Sequence, residues 1–467
     1  MSHPSPSTAA PAGEAVALSN IEAFLEEALS DLRLDALEDR RPGPGRPRML
    51  PALCLWAGLL VCVLRGFESQ RQLWRLLVRQ GLWRFGRVAI SDQALYNRLA
   101  RAGTAPLEGL FAQVSRVLAA RLAPFAQTSL APFAPAVVAL DASTLDKLAR
   151  LLPALRGLPV DAKALLAGQV AALFDVRIQQ WRALTFIPDA AEHCKVAARG
   201  LLTGLAPGTL VLADLGYFGF AWFDDLSEAG FRWVSRLRAK TSYQVIHTFY
   251  QQDETFDGVV WLGAHAADRA AHAVRLVQFR AKGVLCQYLT NVLDPTVLPP
   301  RELACLYARR WDIELAFSLV KEHLHLPLLW ASKQTVVLQQ VWAVFTIAQV
   351  FQALRLEIAA RAGVDPFEVS MPLLVQEFPD FLASEADPIA AFIACGRQVG
   401  YIRPSTRTRI QAPDLPPAFT PLPPALPLIR TPRYAQRRAD PGPRPHRRHR
   451  ANPANRRPVP AQAHLLE

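Results

Sequence analysis

The chain has 467 residues, just over half of them hydrophobic, with a formal net charge of +12; that is material for a large core and length for two to four structural units. The charge is uneven: residues 40–101 hold twelve arginines against Glu68 and Asp92, a balance of +10, and residues 430–467 hold ten arginines against Asp440 and Glu467, a balance of +8, which leaves the body of the chain at −6. Two basic arms on a mildly acidic body suit a polyanionic partner, while six scattered cysteines with no C-x-x-C pair or Cys/His cluster exclude a structural zinc of ordinary spacing and fit a reduced, cytoplasmic setting.

In chain order, residues 1–17 are small, polar and proline-bearing, and are expected to be disordered. A helical region over 18–130 follows. It opens on an amphipathic helix, Ser19 to Glu38, with Ile21, Phe24, Leu25, Leu29 and Leu32 at helical spacing. The hinge Arg41-Pro-Gly-Pro-Gly-Arg-Pro-Arg48 contains Gly45-Arg46-Pro47, which resembles a minor-groove hook with Arg46 laid along the groove; it also reads simply as a basic linker. Pro51 to Leu64 is almost wholly apolar but shorter than the ~20 residues a spanning helix needs. We expect it to be a buried helix, as we do Val341 to Leu356, and expect no membrane association.

Ser69 with Gln72 forms a capping box for a helix to Gln80, and Ser91 caps another that Gly103 stops. Arg71, Arg75 and Arg79 share one face of the first. The second carries Gln93, Tyr96, Asn97 and Arg98, side chains suited to base edges and phosphates. Arg71, Arg75, Asn97 and Arg98 are therefore candidate DNA contacts, although the 81–90 connection is long for a helix-turn-helix.

From 131 the pattern changes. Val137 to Leu140 is an apolar run ending at Asp141; Val170 to Ile178 and Trp181 to Ile187 read as a hairpin turning at Gln179-Gln180. A helix (Ala190 to Leu202), a strand (Thr209 to Ala213) ending at Asp214, a helix (Phe220 to Ala229) and a strand (Phe231 to Leu237) complete the order β, β, β, α, β, α, β. That order is α/β and RNase H-like, with the first part of the core over 131–240. A β-rich insertion is expected over 241–298, the second part of the core over 299–362, a helical region over 363–412, and a disordered basic tail over 413–467.

The segment Pro299 to Leu326 reads as one long helix. At about 100° per residue, Tyr307, Arg310, Glu314 and Lys321 fall within a stripe roughly 60° wide, bordering the apolar face of Leu306, Ile313, Phe317, Val320 and Leu324. Asp312 falls on the far side, so the helix itself selects Glu314. Geometry alone fits a solvated helix with i,i+4 charge pairs equally well. Asp141 and Asp214 close apolar strands, where ligands gather in open α/β sheets; taken singly, each also reads as a turn or cap residue. Three carboxylates together satisfy what phosphodiester chemistry asks of hard divalent cations.

Tyr307-x2-Arg310-x3-Glu314-x6-Lys321 resembles, without gaps, the Y-R-E-K signature of the DDE transposases typified by insertion sequence four. Ala139-Leu-Asp141-Ala-Ser-Thr and Leu212-Ala-Asp214-Leu-Gly-Tyr217 resemble the two aspartate blocks of that family, and the resemblance covers roughly residues 135–360. It implies that Asp141, Asp214 and Glu314 are catalytic and hold two Mg²⁺ or Mn²⁺ ions. It further implies that Tyr307, Arg310 and Lys321 contact phosphates near the cleaved end, and that an aromatic of the insertion stacks on a flipped base. Trp261 is the candidate by position, though a buried strand tryptophan fits the same pattern. The resemblance also implies double-stranded DNA as partner, a homodimer in the DNA complex, and cut-and-paste transposition at terminal inverted repeats. Two other functions fit the residues: a non-catalytic DNA-binding protein derived from a transposase, and an RNase H-like nuclease without strand transfer.

Overall fold

In the computed structural model of the chain, residues 21–30, 49–144, 169–187, 194–264, 268–324, 333–405, 407, 410–416 and 418–434 are described. The expectations for residues 1–17, for Arg46 and its hinge, and for 435–467 lie outside them. The fold is built on β1 (Val137–Thr144). This strand pairs antiparallel with β2 (Gln169–Asp175), which turns back into β3 (Gln180–Ile187). On its other side it pairs parallel with β4 (Leu210–Ala213), which is parallel to β5 (Arg232–Arg236). With α6 (Cys194–Leu202) and α7 (Phe220–Glu228) as the connections to β4 and β5, the order β3-β2-β1-β4-β5 is the RNase H-like arrangement read from the sequence.

The insertion is an antiparallel meander of β6 (Tyr243–Gln252), β7 (Thr255–Leu262), β8 (Val274–Ala281) and β9 (Val284–Thr290). Because β9 lies against β5, with Val234 opposite Thr290 and Arg236 opposite Tyr288, it extends the core into one nine-stranded sheet. Its interior holds a fully buried ion pair. Arg275 donates to both Asp257 oxygens, at 2.7 and 2.6 Å, and its remaining Nη1 donates to Leu298 O at 2.6 Å. A buried charge is tolerated only when paired and hydrogen-bonded in this way, and here the pairing fixes the chain just before the helix that follows.

Side-chain alternation divides the sheet into two faces. Val138, Leu140, Val211 and Ala213 point into the smaller core under α6 and α7. Val137, Ala139, Leu210 and Leu212 point into the larger core, which continues into the N-terminal helices α1 (Ile21–Ser30), α2 (Ala52–Leu64), α3 (Gln70–Arg79), α4 (Asp92–Arg101) and α5 (Ala105–Leu122). The capping box of α3 forms as its sequence requires, with Ser69 N donating to Gln72 Oε1 at 3.0 Å, and Ser91 Oγ accepts from Ala94 N at 3.1 Å to start α4.

The stretch read as one long helix is interrupted. It comprises α8 (Pro300–Arg309) and α9 (Trp311–Ser318), with Arg310 N donating to Tyr307 O at 3.1 Å in a locally tightened turn, and then a π turn over Leu319–His323. Beyond it α10 (Gln334–Ala362) runs through the larger core, buried on every side. It is long and apolar enough to cross a membrane, but 89% of its apolar window is buried within the protein, and interior glutamines bind neighbouring elements. Gln349, for example, accepts from Trp181 N at 2.8 Å and donates to Trp181 O at 2.8 Å and Ser115 Oγ at 2.7 Å. The helices α11 (Met371–Ser384) and α12 (Pro388–Gly396) close that side.

The C-terminal segment departs from the expected disorder. Among its described residues, 413–434 form an extended strap over the insertion. Phe419, Leu422 and Leu428 pack on Phe249, Val259 and Trp261, and backbone bridges join Arg433 to Arg269 and Ile429 to His272. Proline-rich composition hid three apolar anchors without a regular period.

Candidate active site

The parallel register of β1 and β4 pairs Leu140 with Ala213, so Asp141 and Asp214 are the next residues on neighbouring strands. Alternation turns both toward the larger core. Asp214 ends β4 as the sequence suggested. Asp141 does not end its strand: β1 continues three residues further because β2 goes on pairing with it, to Thr144 opposite Gln169. Ser143, two residues on, shares the face of Asp141.

Helix α9 packs against β1 and brings Glu314 to this place. Glu314 is half-exposed, and its Oε1 lies 2.6 Å from Nη1 of Arg310, which is 4% exposed. The approach is an ion pair by proximity; neither Nε nor Nη1 of Arg310 has a hydrogen bond of good geometry. Two buried donors therefore keep capacity for another acceptor. The guanidinium is flanked by Trp311, with its ring centre 5.1 Å away, and Tyr307, at 5.9 Å. Burial alone would depress the Arg310 pKa, but the approach of Glu314 and the charges of Tyr307, Glu314 and Asp214 raise it.

Asp141 is perturbed by its surroundings. Burial pushes its pKa up to about 6, opposed by the Ala142 N–H at 2.8 Å and by Arg310, and reinforced by the charges of Glu314 and Asp214. Mutual repulsion among ionised carboxylates is the strain that a bound cation relieves. The donor set, oxygens only, fits a hard divalent cation. Among the described residues, however, no three His, Cys, Asp or Glu side chains are gathered as a ready ligand cage. Glu314 is drawn toward Arg310.

Tyr307 is buried against Tyr288, and burial pushes its hydroxyl up to about 12. Lys321 sits in the π turn, hydrogen-bonded to Ser143 Oγ and 5.9 Å from the Phe317 ring centre. The π turn thus ties the end of this segment back to β1; single π turns recur at functional sites. Asp312 is turned away from Glu314, as the helical arithmetic required. It is fully buried, accepts from Gln179 Nε2 at 2.6 Å and lies 3.8 Å from Arg309; burial raises its pKa to about 7.

Sequence reasoning missed two groups here. Arg236 ends β5 level with Asp214, since Leu212 pairs with Val234, and it is exposed. Trp311 is 49% exposed beside Arg310; its adjacency to the signature arginine was the available signal. The turn after Asp214 is held from both sides, by Lys195 Nζ on Phe218 O at 2.8 Å and by Arg238 Nη2 on Leu215 O at 3.0 Å.

Other candidates lie apart. Trp261 is four strands from Asp214 in the sheet order, roughly 19 Å at about 4.8 Å per strand. Its ring is covered by the Arg430 guanidinium at 4.6 Å. Arg75 and Asn97 are exposed, Arg71 pairs with Asp92 at 3.3 Å, and Arg98 is half-buried.

Residues 170–350 match the transposase DDE domain family. The chain is 28% identical over 158 residues to transposase InsG for insertion sequence element IS4 of Escherichia coli (strain K12), covering 32% of this chain and 35% of that protein. It is 27% identical over 183 residues to y4zB of Sinorhizobium fredii (strain NBRC 101917 / NGR234), likewise named as a transposase, covering 38% of this chain and 48% of the relative. The matches thus span a third to a half of those relatives' lengths. A cryo-EM structure of piggyBac transposase in a synaptic complex with hairpin DNA aligns at 8% identity over 83% of this chain and 84% of that one, with a TM-score of 0.41. Over residues 170–350 the chain is thus similar to the transposase DDE domain. Both curated relatives are named as transposases, one of them for an insertion sequence element.

Proposed function

We propose that the chain is an active transposase that binds the terminal inverted repeats of an insertion sequence, cleaves DNA at the element ends and joins the 3′ ends to target DNA. The observation that carries this is the placement of Asp141 and Asp214 side by side on one face of β1 and β4, with the Arg310–Glu314 pair brought to them by α9. In this reading Asp141, Asp214 and Glu314 hold divalent cations, Mg²⁺ or Mn²⁺, two to a site. Such ions supply an activated oxygen nucleophile and neutralise the leaving oxygen.

The chain's own residues do the rest. Arg310, with two buried donors lacking good partners, takes a phosphate oxygen of the bound strand. That contact competes for the guanidinium now beside Glu314 and frees the carboxylate to turn toward the aspartates. Lys321 and Tyr307 flank the same backbone, Arg236 receives phosphate from the β5 side, and exposed Trp311 offers a π face to a base. Two protomers on paired ends complete the assembly.

Incubation of end-containing DNA with the full chain and Mg²⁺ tests the proposal. Nicking at the ends and transfer into a plasmid are expected from the wild type, and both are expected to vanish in Asp214→Ala while DNA binding persists. Undiminished cleavage by Asp214→Ala would overturn the assignment. Nicking without transfer would leave an RNase H-like nuclease.

A further inference from the structure

The N-terminal helices carry a polar face that the catalytic chemistry leaves unused. Along α4, Leu95 and Leu99 are fully buried, while Gln93, Asn97 and Arg101 recur at i, i+4, i+8 as one exposed stripe. Gln93 Nε2 donates to Asn97 Oδ1 at 3.1 Å. The two amides are thereby held together, with the Asn97 amino group and the Gln93 carbonyl presented side by side. An amide donor next to an amide acceptor matches the N7 and N6 edge of adenine, and an exposed arginine on the same stripe matches guanine.

The adjacent helix supplies charge. Arg71, Arg75 and Arg79 stand exposed along α3, and the Arg71 Nε contact to Asp92 Oδ2 at 3.3 Å sets that row beside the start of α4. Residues 40–101 contain ten more positive than negative side chains. A ten-residue helix of about 15 Å fits a major groove about 12 Å wide, and a row of arginines alongside it is complementary to the phosphates that rim such a groove.

We infer that α4 enters the DNA major groove as the sequence-reading element, with Gln93, Asn97 and Arg101 on base edges and Arg75 and Arg79 on the flanking phosphates. The inference rests on the transposase reading for its partner, duplex DNA, and adds which helix reads and which merely holds. It also reassigns Arg98, which lies half-buried off the stripe. The reader is rigidly joined to the catalytic core: Gln339 of α10 donates to Leu99 O at 2.8 Å and to Gly103 O at 2.6 Å, at the end of α4. The distance from the sequence read to the bond cut is thereby set by the fold.

Selection of bound sequences from a pool of random DNA duplexes by the full chain tests this. The wild type is expected to enrich a motif. Asn97→Ala, and the double variant Gln93→Ala with Asn97→Ala, are expected to relax the position that the amide pair reads by about tenfold to a hundredfold. Arg75→Ala should instead weaken binding to all sequences alike and lower the salt slope by about one. All three substitutions are at exposed positions, and an unchanged melting curve confirms the fold. An identical motif from the Gln93/Asn97 double variant, or no enrichment by the wild type, would sink the inference. Asp214→Ala separates it from the catalytic proposal. If cleavage fails in every form of the protein while the motif still shifts with Asn97, the reading helix stands and the cleavage reading falls.

Discussion

Arg310 and Glu314, one helical turn apart, face each other at 2.6 Å across the mouth of the site. The arginine belongs to the tightened turn between α8 and α9, and the glutamate to the first turn of α9. The carboxylate proposed to hold a cation is thus paired with the guanidinium of its own chain. Even so, the charge of Glu314 still adds to that of Asp214 in raising the Asp141 carboxyl. Under the proposed function, phosphate arrival and cation arrival are linked events, because each favours the same separation of the pair.

Replacement of Arg310 tests the linkage. Arg310→Ala removes a charge-assisted contact, and a loss of roughly 1.5–3 kcal/mol, about 10- to 100-fold in DNA engagement at the cleaved end, is expected. Arg310→Lys is expected to restore little, because an ammonium cannot offer the planar fork to a phosphate. Glu314 should bind Mn²⁺ more readily in Arg310→Ala than in the wild type when DNA is absent. Equal Mn²⁺ affinity in the two proteins, read by titration calorimetry, would show that Arg310 does not restrain Glu314.

Asp141 makes a prediction in pH. Its carboxyl is raised from the ordinary value of 3.8 to about 6 by burial, so the folded state holds its proton more tightly than the unfolded chain does. Stability from this group is present below pH 4 and is lost as pH rises through about 6. The loss is on the order of 3 kcal/mol. In metal-free buffer, Asp141→Asn should therefore melt higher than the wild type at pH 7.5 and alike at pH 4, while cleaving no DNA. Added Mg²⁺ should stabilise the wild type at pH 7.5 and leave Asp141→Asn nearly unmoved. A variant that melts below the wild type at pH 7.5 would contradict the assigned cause.

What the sequence revealed of this site follows from which forces are local. Glu314 and Asp312 were separable because helical rotation places them on different sides whatever the tertiary context, and Asp312 is indeed buried on Gln179. The two aspartates stood out because apolar strands lead up to them, and sheet register sets them side by side. The interruption at Arg310 and the π turn were not legible, since they answer to distant partners: Lys321 to Ser143 of β1, and the α9 backbone to Asp312 held by Gln179. Arg236 escaped because only sheet register brings it level with Asp214. The merger of the insertion into the main sheet escaped for the same reason, as nothing local specifies that β9 pairs with β5.

Trp261 gives the sharpest contrast between pattern and packing. Its place in the insertion suggested a base-stacking platform, yet its ring carries the Arg430 guanidinium at 4.6 Å. The same arginine donates to Leu262 O at 2.6 Å and Ala270 O at 3.0 Å. Its π face is thus engaged in fastening the C-terminal strap, whose end is fixed by Tyr434 Oη on Asp224 Oδ2 at 2.7 Å. Arg430→Ala removes a cation–π contact and two charge-assisted bonds; with partial solvent screening a destabilisation of about 1–2 kcal/mol is expected, seen as a lower melting temperature. Trp261→Ala should destabilise by at least as much, because a buried aromatic is lost as well. Trp261→Phe keeps a π face for the arginine and should recover most of that stability. With the strap as its only role, Trp261→Phe and Arg430→Ala should cleave element ends at the wild-type rate below their melting temperatures. A Trp261→Phe protein that melts like the wild type but cleaves tenfold more slowly would instead return the ring to the DNA, with the strap displaced when the end is bound.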